Sequence, residues 1–149
     1  MSEPTAQQQE RFKWAANERA DRAEEALRSS LTFAELATTN RARCEAPSGF
    51  GHPLSGWSLS DWMLAATGEF GEAANVAKKL NRERDGIPGN TKSEPELRAD
   101  LADEFADALI YLDLAAQSQG IDLGAAVVSK FNRTSEKIGA PHRLPEPVR

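Results

Sequence analysis

Apolar residues recur at three- and four-residue intervals along two long stretches of the chain, and Val/Ile-rich alternation of the strand type is absent. At about 100° per residue, Trp62, Ala66, Phe70, Ala73, Ala77 and Leu80 form one stripe, and Leu97, Leu101, Phe105, Ala108, Leu112 and Ala115 form a second. These stripes predict helices over about 59–84 and about 94–119. Ser58 or Ser60 supplies the first N-cap, and Asp85-Gly86 the stop. Ser93 to Glu96 reads SEPE, a capping box with Pro in the first turn, where its missing N–H does no harm. The turn formers GIPGNTKSEP between them leave room for little except an antiparallel helix hairpin.

Shorter elements flank the pair. TFAE (Thr32 to Glu35) has capping-box spacing and predicts a helix from about Phe33 to Cys44, followed by a loop, APSGFGHPLSGWS. Asp122 is placed to cap a last helix to about Lys137, closed by Gly139, with PHRLPEPVR as an extended tail. Residues 1–30 are charged nearly throughout, and only Phe12, Trp14 and a few Ala offer packing, so they read as a peripheral helix or arm. Residues 31–149 read as one all-α bundle.

Composition narrows the classes. At 149 residues and 40% hydrophobic, the chain supports one domain with a core. The single Cys44 excludes an internal disulfide, and no apolar run approaches a membrane span. The polar start MSEPTAQQQE does not read as a signal peptide. A cytoplasmic protein without membrane partners is expected. The net charge of −5 disfavours a nucleic-acid polymer as partner, although metal ions can supply the positive charge that a single nucleotide needs.

Glu69 and Glu72 in GEFGEA lie three residues apart, as do Glu104 and Asp107 in DEFADA, each pair at the edge of its apolar stripe. Val76 and Tyr111 continue these edges. Two acid-bearing edges on helices expected to pack together bring four carboxylates toward one place. Such a cluster raises its members' pKa values unless a cation joins it, and an all-oxygen donor set suits Mg²⁺, with Mn²⁺ as the alternative. A di-iron bundle calls for Glu-x-x-His, and neither His52 nor His142 follows a Glu at that spacing. A lone Glu-x-x-Glu is usually a solvated helix face; two matched pairs favour the metal.

The segments WSLSDWMLAATGEFGEAANVAKKLNRERDG, LADEFADALIYLDLAA and GIDLGAAVVSKFNRTSEKIG together resemble the MazG-type, all-α nucleoside triphosphate pyrophosphohydrolases over about residues 57–139. The family signature, Glu-x-x-Glu followed by Glu-x-x-Asp, is matched by Glu69, Glu72, Glu104 and Asp107. The resemblance implies Mg²⁺-dependent cleavage of a (d)NTP to the monophosphate and pyrophosphate, with Lys130 of KFN as a phosphate contact assisted by Asn132 and Arg133. It also implies a homodimer or homotetramer.

Other roles come from the residues themselves. Glu72 is favoured over Glu69 as the base that takes a proton from the attacking water. Lys79, one heptad beyond Glu72, is placed to meet a phosphate, or else to pair with an acid. Tyr111 is read as a contact to sugar or base, or as core. Trp57 and Trp62 are candidates to stack on a base, with core packing the commoner fate of such a Trp. His52 receives no role. Ile110 and Leu114, off the main stripe of their helix, call for a second covering surface and point to self-association. Two rivals to the enzyme remain: a nucleotide-binding module without turnover, and a structural helical-bundle interaction protein with solvated acids.

Overall fold

Capping chemistry sets the helix starts in the computed structural model, which describes residues 30–146. The Ser58 backbone N–H donates to the Asp61 carboxylate at 2.9 Å, and the Asp61 N–H returns to the Ser58 hydroxyl, opening a helix over Leu59–Arg84. The Ser93 N–H donates to Glu96 at 2.7 Å and opens Glu94–Ser118. The Ala125 N–H donates to Asp122 at 2.9 Å and opens Leu123–Lys137. With Phe33–Glu45 these are α1 (Phe33–Glu45), α2 (Leu59–Arg84), α3 (Glu94–Ser118) and α4 (Leu123–Lys137), plus one 3₁₀ turn at Leu54–Gly56. Among the described residues there is no strand, and the fold is all-α as the periodicity predicts. The charged helix or arm expected over 1–30 lies outside them, apart from Ser30. No described helix is long and apolar enough to cross a membrane.

α2 and α3 pack together along their lengths. Their seam is built from Trp62, Ala66, Ala73 and Val76 on α2, and Leu97, Ala108 and Ala115 on α3, all buried. Alanines dominate, so the backbones approach closely and hydrophobic side chains are few. The expected stripes are displaced at one point in each helix. Phe70 and Phe105 are 54% and 55% exposed, while Val76, expected on the flank, is buried. The repeat in the sequence thus has a structural counterpart: in each helix the Phe turns outward, and the Ala three residues later (Ala73, Ala108) turns inward.

The apolar side of α3 that Ile110 and Leu114 extend is covered within the chain, contrary to the expectation that a second subunit is needed there. α1 lies against it. Leu114, Ala115, Trp62, Cys44 and Leu54 form one buried cluster, with Tyr111 packed on its edge. A polar lock fixes α1: the Asn40 amide donates to the Ile110 carbonyl and to the Asp113 carboxylate, both at 2.9 Å. Asp113 is 1% exposed and also accepts from Gln117 at 2.8 Å, so its carboxylate is buried but partnered.

The connector after α2 is tied back onto that helix. The Arg82 guanidinium donates to the Pro88 carbonyl. The Asn90 amide donates to the Lys79 carbonyl and to Glu83, each at 2.8 Å. At the other end of the chain, the Asn132 amide accepts from the Leu144 N–H at 2.8 Å and donates to the Leu144 carbonyl at 3.0 Å. That two-sided clasp lays the tail along α4.

Candidate functional site

The three-residue spacing within each acid pair, together with the α2–α3 seam, sets the carboxylates face to face. Glu69, Glu72 and Glu104 each present an oxygen within 4.8 Å of the others'. Glu69 and Glu104 are half-buried and Glu72 is exposed. The Glu69 carboxyl is held above its ordinary pKa by burial, by the charges of Asp107, Glu72 and Glu104, and by a hydrogen bond with Glu104. Asp107 stands outside the tightest group but close enough for its charge to act on Glu69. Glu69 is therefore a member of a crowded acid set whose mutual repulsion a hard cation relieves. An all-carboxylate donor set fits Mg²⁺ or Mn²⁺ by ligand chemistry.

Three recesses border this cluster, one of them, of about 510 Å³, opening at Glu69 between Trp57, Leu64, Gly68 and Tyr111. The first, of about 370 Å³, is lined by Arg43, Cys44, Phe50, His52, Trp57, Trp62, Ile110, Tyr111 and Leu114, together with Glu69 and Asp107. Its wall is aromatic: Trp57 and Trp62 ring centroids lie 4.5 Å apart, and His52 stands edge-on to Trp57 at 5.0 Å. The loop before α2 builds this wall. The His52 N–H donates to the Cys44 carbonyl, and the Cys44 thiol donates to the His52 carbonyl at 3.1 Å. Burial is the main reason the thiol's pKa is raised, so Cys44 acts here as a neutral packing group. A Cβ on Gly56 would sit 2.8 Å from His52 Cε1, so a side chain there would displace the imidazole from its place on the turn. The His52 Nε2 is buried without a hydrogen-bond partner.

The second recess, of about 410 Å³, is polar and is lined by Glu72, Glu104, Asn75, Val76, Lys79 and Asp100. The acid cluster thus stands between an aromatic recess and a polar one, with Glu69 and Asp107 facing the first, and Glu72 and Glu104 the second.

The other expected site residues divide. Lys79 and Tyr111 lie beside the acids, one in each recess. Trp62 lines the aromatic recess, but it is 2% exposed and its indole N–H donates to the Leu54 carbonyl at 3.2 Å, so it forms the floor. Trp57, 39% exposed, is the ring with a free face. Asn132 and Arg133 line a different hollow on α4 that includes none of the four acids. Asn132 spends both ends of its amide on Leu144, and Arg133 donates to the Ser129 hydroxyl at 2.7 Å. Lys130 is exposed on the same helix. Within one chain, then, the KFNR segment is not gathered with the carboxylates. Reasoning from sequence passed over His52 and Asn75. For His52 the available signal was its place in the Gly/Pro loop that leads into Trp57.

No family model matches the chain, and no solved structure matches it. Three curated relatives do, all dCTP pyrophosphatase 1. The protein from Rattus norvegicus is 36% identical over 75 residues, 50% of this chain and 42% of the relative. The Homo sapiens protein is 40% identical over 70 residues, 47% of this chain and 39% of the relative. The chain therefore spans about two fifths of the length of these relatives.

Proposed function

We propose that this chain is a divalent-metal-dependent nucleoside triphosphate pyrophosphohydrolase, an enzyme that cleaves a (d)NTP to the monophosphate and pyrophosphate. The observation that carries the reading is the convergence of Glu69, Glu72 and Glu104 between an aromatic and a polar recess. Partial similarity to dCTP pyrophosphatases supports the reaction class. A nucleotide has the same two-ended character, an apolar base joined to a polyanion.

Glu69, Glu72, Glu104 and Asp107 would hold Mg²⁺, or Mn²⁺ in its place. Such an ion, when bound, neutralises phosphate oxygens and lowers the pKa of water beside them. The protein's own part is to bind and to move a proton. Trp57 offers its exposed face to the base, and Tyr111 lies where base and acids meet. The water oxygen bonds to the α-phosphorus, and its proton passes to the Glu72 carboxylate. The bond from that phosphorus to the α–β bridging oxygen breaks, and its electron pair leaves with pyrophosphate.

The test is a panel of (d)NTPs, dCTP among them, incubated with Mg²⁺ or Mn²⁺ and resolved by product. Monophosphate and pyrophosphate in equal amounts are expected. Nucleotide binding without turnover across the panel would leave a binding module instead, and no Mn²⁺ site by titration would leave a structural bundle.

The enzyme is further proposed to be a homodimer or homotetramer acting in the cytoplasm, a location that cell fractionation can check. What needs covering is Phe70 and Phe105, with Met63, Leu64 and Leu109 also exposed on the α2–α3 hairpin. The Phe70→Glu/Phe105→Glu double variant is expected to shift light-scattering mass toward the monomer; an unchanged mass would remove these residues from the interface.

A further inference from the structure

We infer that Asn40, Asp113 and Gln117 are positioning residues for the proposed reaction, holding the wall that α1 carries in register with the acid-bearing helices. The inference rests on the pyrophosphohydrolase reading and adds to it three residues that do not line the recess themselves. The aromatic recess is assembled from two bodies. Arg43, Cys44, Phe50 and His52 come from α1 and the loop after it, whereas Glu69 and Asp107 come from α2 and α3. The loop is bound to α1 and moves with it. The Phe50 N–H donates to the Arg43 carbonyl at 3.0 Å, and the His52 N–H to the Cys44 carbonyl at 2.8 Å. A Cβ at Gly49 would fall on the Arg43 carbonyl oxygen, a backbone atom, so no side chain fits there unless the loop opens.

α1 has little apolar grip of its own, because its buried residues are Asn40 and Cys44. Apolar contact is non-directional and tolerates sliding, whereas hydrogen bonds select one register. The Asn40 amide nitrogen donates to both the Ile110 carbonyl and the Asp113 carboxylate. That orientation turns the amide oxygen toward Arg43, whose guanidinium donates to it at 3.3 Å. Asp113 dictates the orientation, since a carboxylate accepts and the amide oxygen cannot donate to it. Gln117 donates to the same carboxylate at 2.8 Å and to the Ala37 carbonyl, one turn earlier on α1, at 3.0 Å. α1 is thus pinned at two successive turns, and the chain of bonds ends on Arg43 in the recess wall, 5.6 Å from the Phe50 ring centroid. The acids need none of this. They stand on α2 and α3, aligned by the buried Ala73 and Ala108 of the seam.

The experiment uses the full chain and the best substrate of the (d)NTP panel, under conditions where urea curves show each variant folded. Steady-state rates at saturating Mg²⁺ give kcat and KM, and Mn²⁺ titration reads the acids separately. Asn40→Ala is expected to raise KM about tenfold, the scale of one hydrogen bond to a charged group. Its kcat should stay within about threefold, the pattern of lost substrate binding without lost chemistry, and its Mn²⁺ affinity within about twofold. Gln117→Ala leaves the Asn40–Asp113 bond in place and should move KM the same way by less; it reads the effect alone if Asn40→Ala does not fold. Asn40→Asp sets two carboxylates against each other, and adding Asp113→Asn restores a donor and an acceptor. That exchange should bring KM back toward the unaltered value.

Lowered stability with KM unchanged in the folded variants would make the three residues structural only and overturn the inference. So would a fall in kcat or Mn²⁺ affinity as large as the rise in KM, or an exchange variant no better than Asn40→Asp. If the unaltered protein hydrolyses triphosphates while these variants keep its KM, the positioning role alone is wrong. If it hydrolyses none, the activity is wrong, and the inference falls with it.

Discussion

Glu72→Gln is expected to lower kcat for triphosphate hydrolysis by about 10²- to 10⁴-fold at saturating Mg²⁺, the range that a positioned general base contributes. The amide keeps the size and one oxygen of the carboxylate but cannot take the water's proton. Because Glu72 is also a proposed ligand, metal must be titrated to saturation in each variant before rates are compared. Glu104→Gln provides the contrast, since its principal defect should be metal affinity, recovered in part at high Mg²⁺. Full turnover of Glu72→Gln would shift the base to Glu69. That residue has its own argument, because its carboxylate lies in the same cluster, within 4.8 Å of those of Glu72 and Glu104. The two single variants separate these roles, and their double combination should not be additive.

The largest effect on stability is expected from Trp62→Ala, about 3–5 kcal/mol. Trp62 is among the largest fully buried side chains, in contact with the cluster of Cys44, Leu54, Leu114 and Ala115, and its indole is bonded to Leu54. Its loss opens a cavity where α1, the 3₁₀ turn, α2 and α3 meet, and leaves the Leu54 carbonyl without that donor. Urea denaturation measures the change. Trp57→Ala serves as the comparison and should cost far less, because much of that ring is already in solvent. Equal losses in the two variants would mean that Trp62 is not the keystone its burial makes it.

The helices were legible because their ends carry local chemistry. Ser58, Ser93 with Glu96, and Asp122 each bond within the first turn they open, so no distant contact is needed to place them. The acid pairs were legible for a related reason, since spacing along a helix fixes a face. What spacing does not fix is which edge of a broad apolar face the neighbour covers. The periodicity puts Phe70 in the α2 stripe and Val76 on its flank, and the close alanine seam takes Val76 and leaves Phe70 outside. Ile110 and Leu114 looked uncovered because nothing in a linear pattern shows that Asn40, some seventy residues earlier, bonds to the Ile110 carbonyl. Asp113 was invisible as a core group on the same account, because its partners Asn40 and Gln117 become apparent only once α1 is docked. His52 was passed over because its meaning depends on a turn that folds it against Trp57.

Glu72 lies twelve residues before the end of α2, and Glu104 ten after the start of α3, so about 15–18 Å of rigid helix separates the acids from the bend. Their mutual alignment is fixed by Ala73 and Ala108 in the seam, not by the chain that joins the helices. The segment from Gly86 to Gly89 can therefore gain or lose residues over generations, giving up the Arg82–Pro88 bond, without moving one carboxylate relative to another. Only a change that takes away the latch at Asn90 would be felt further in, and it would be felt first at Lys79.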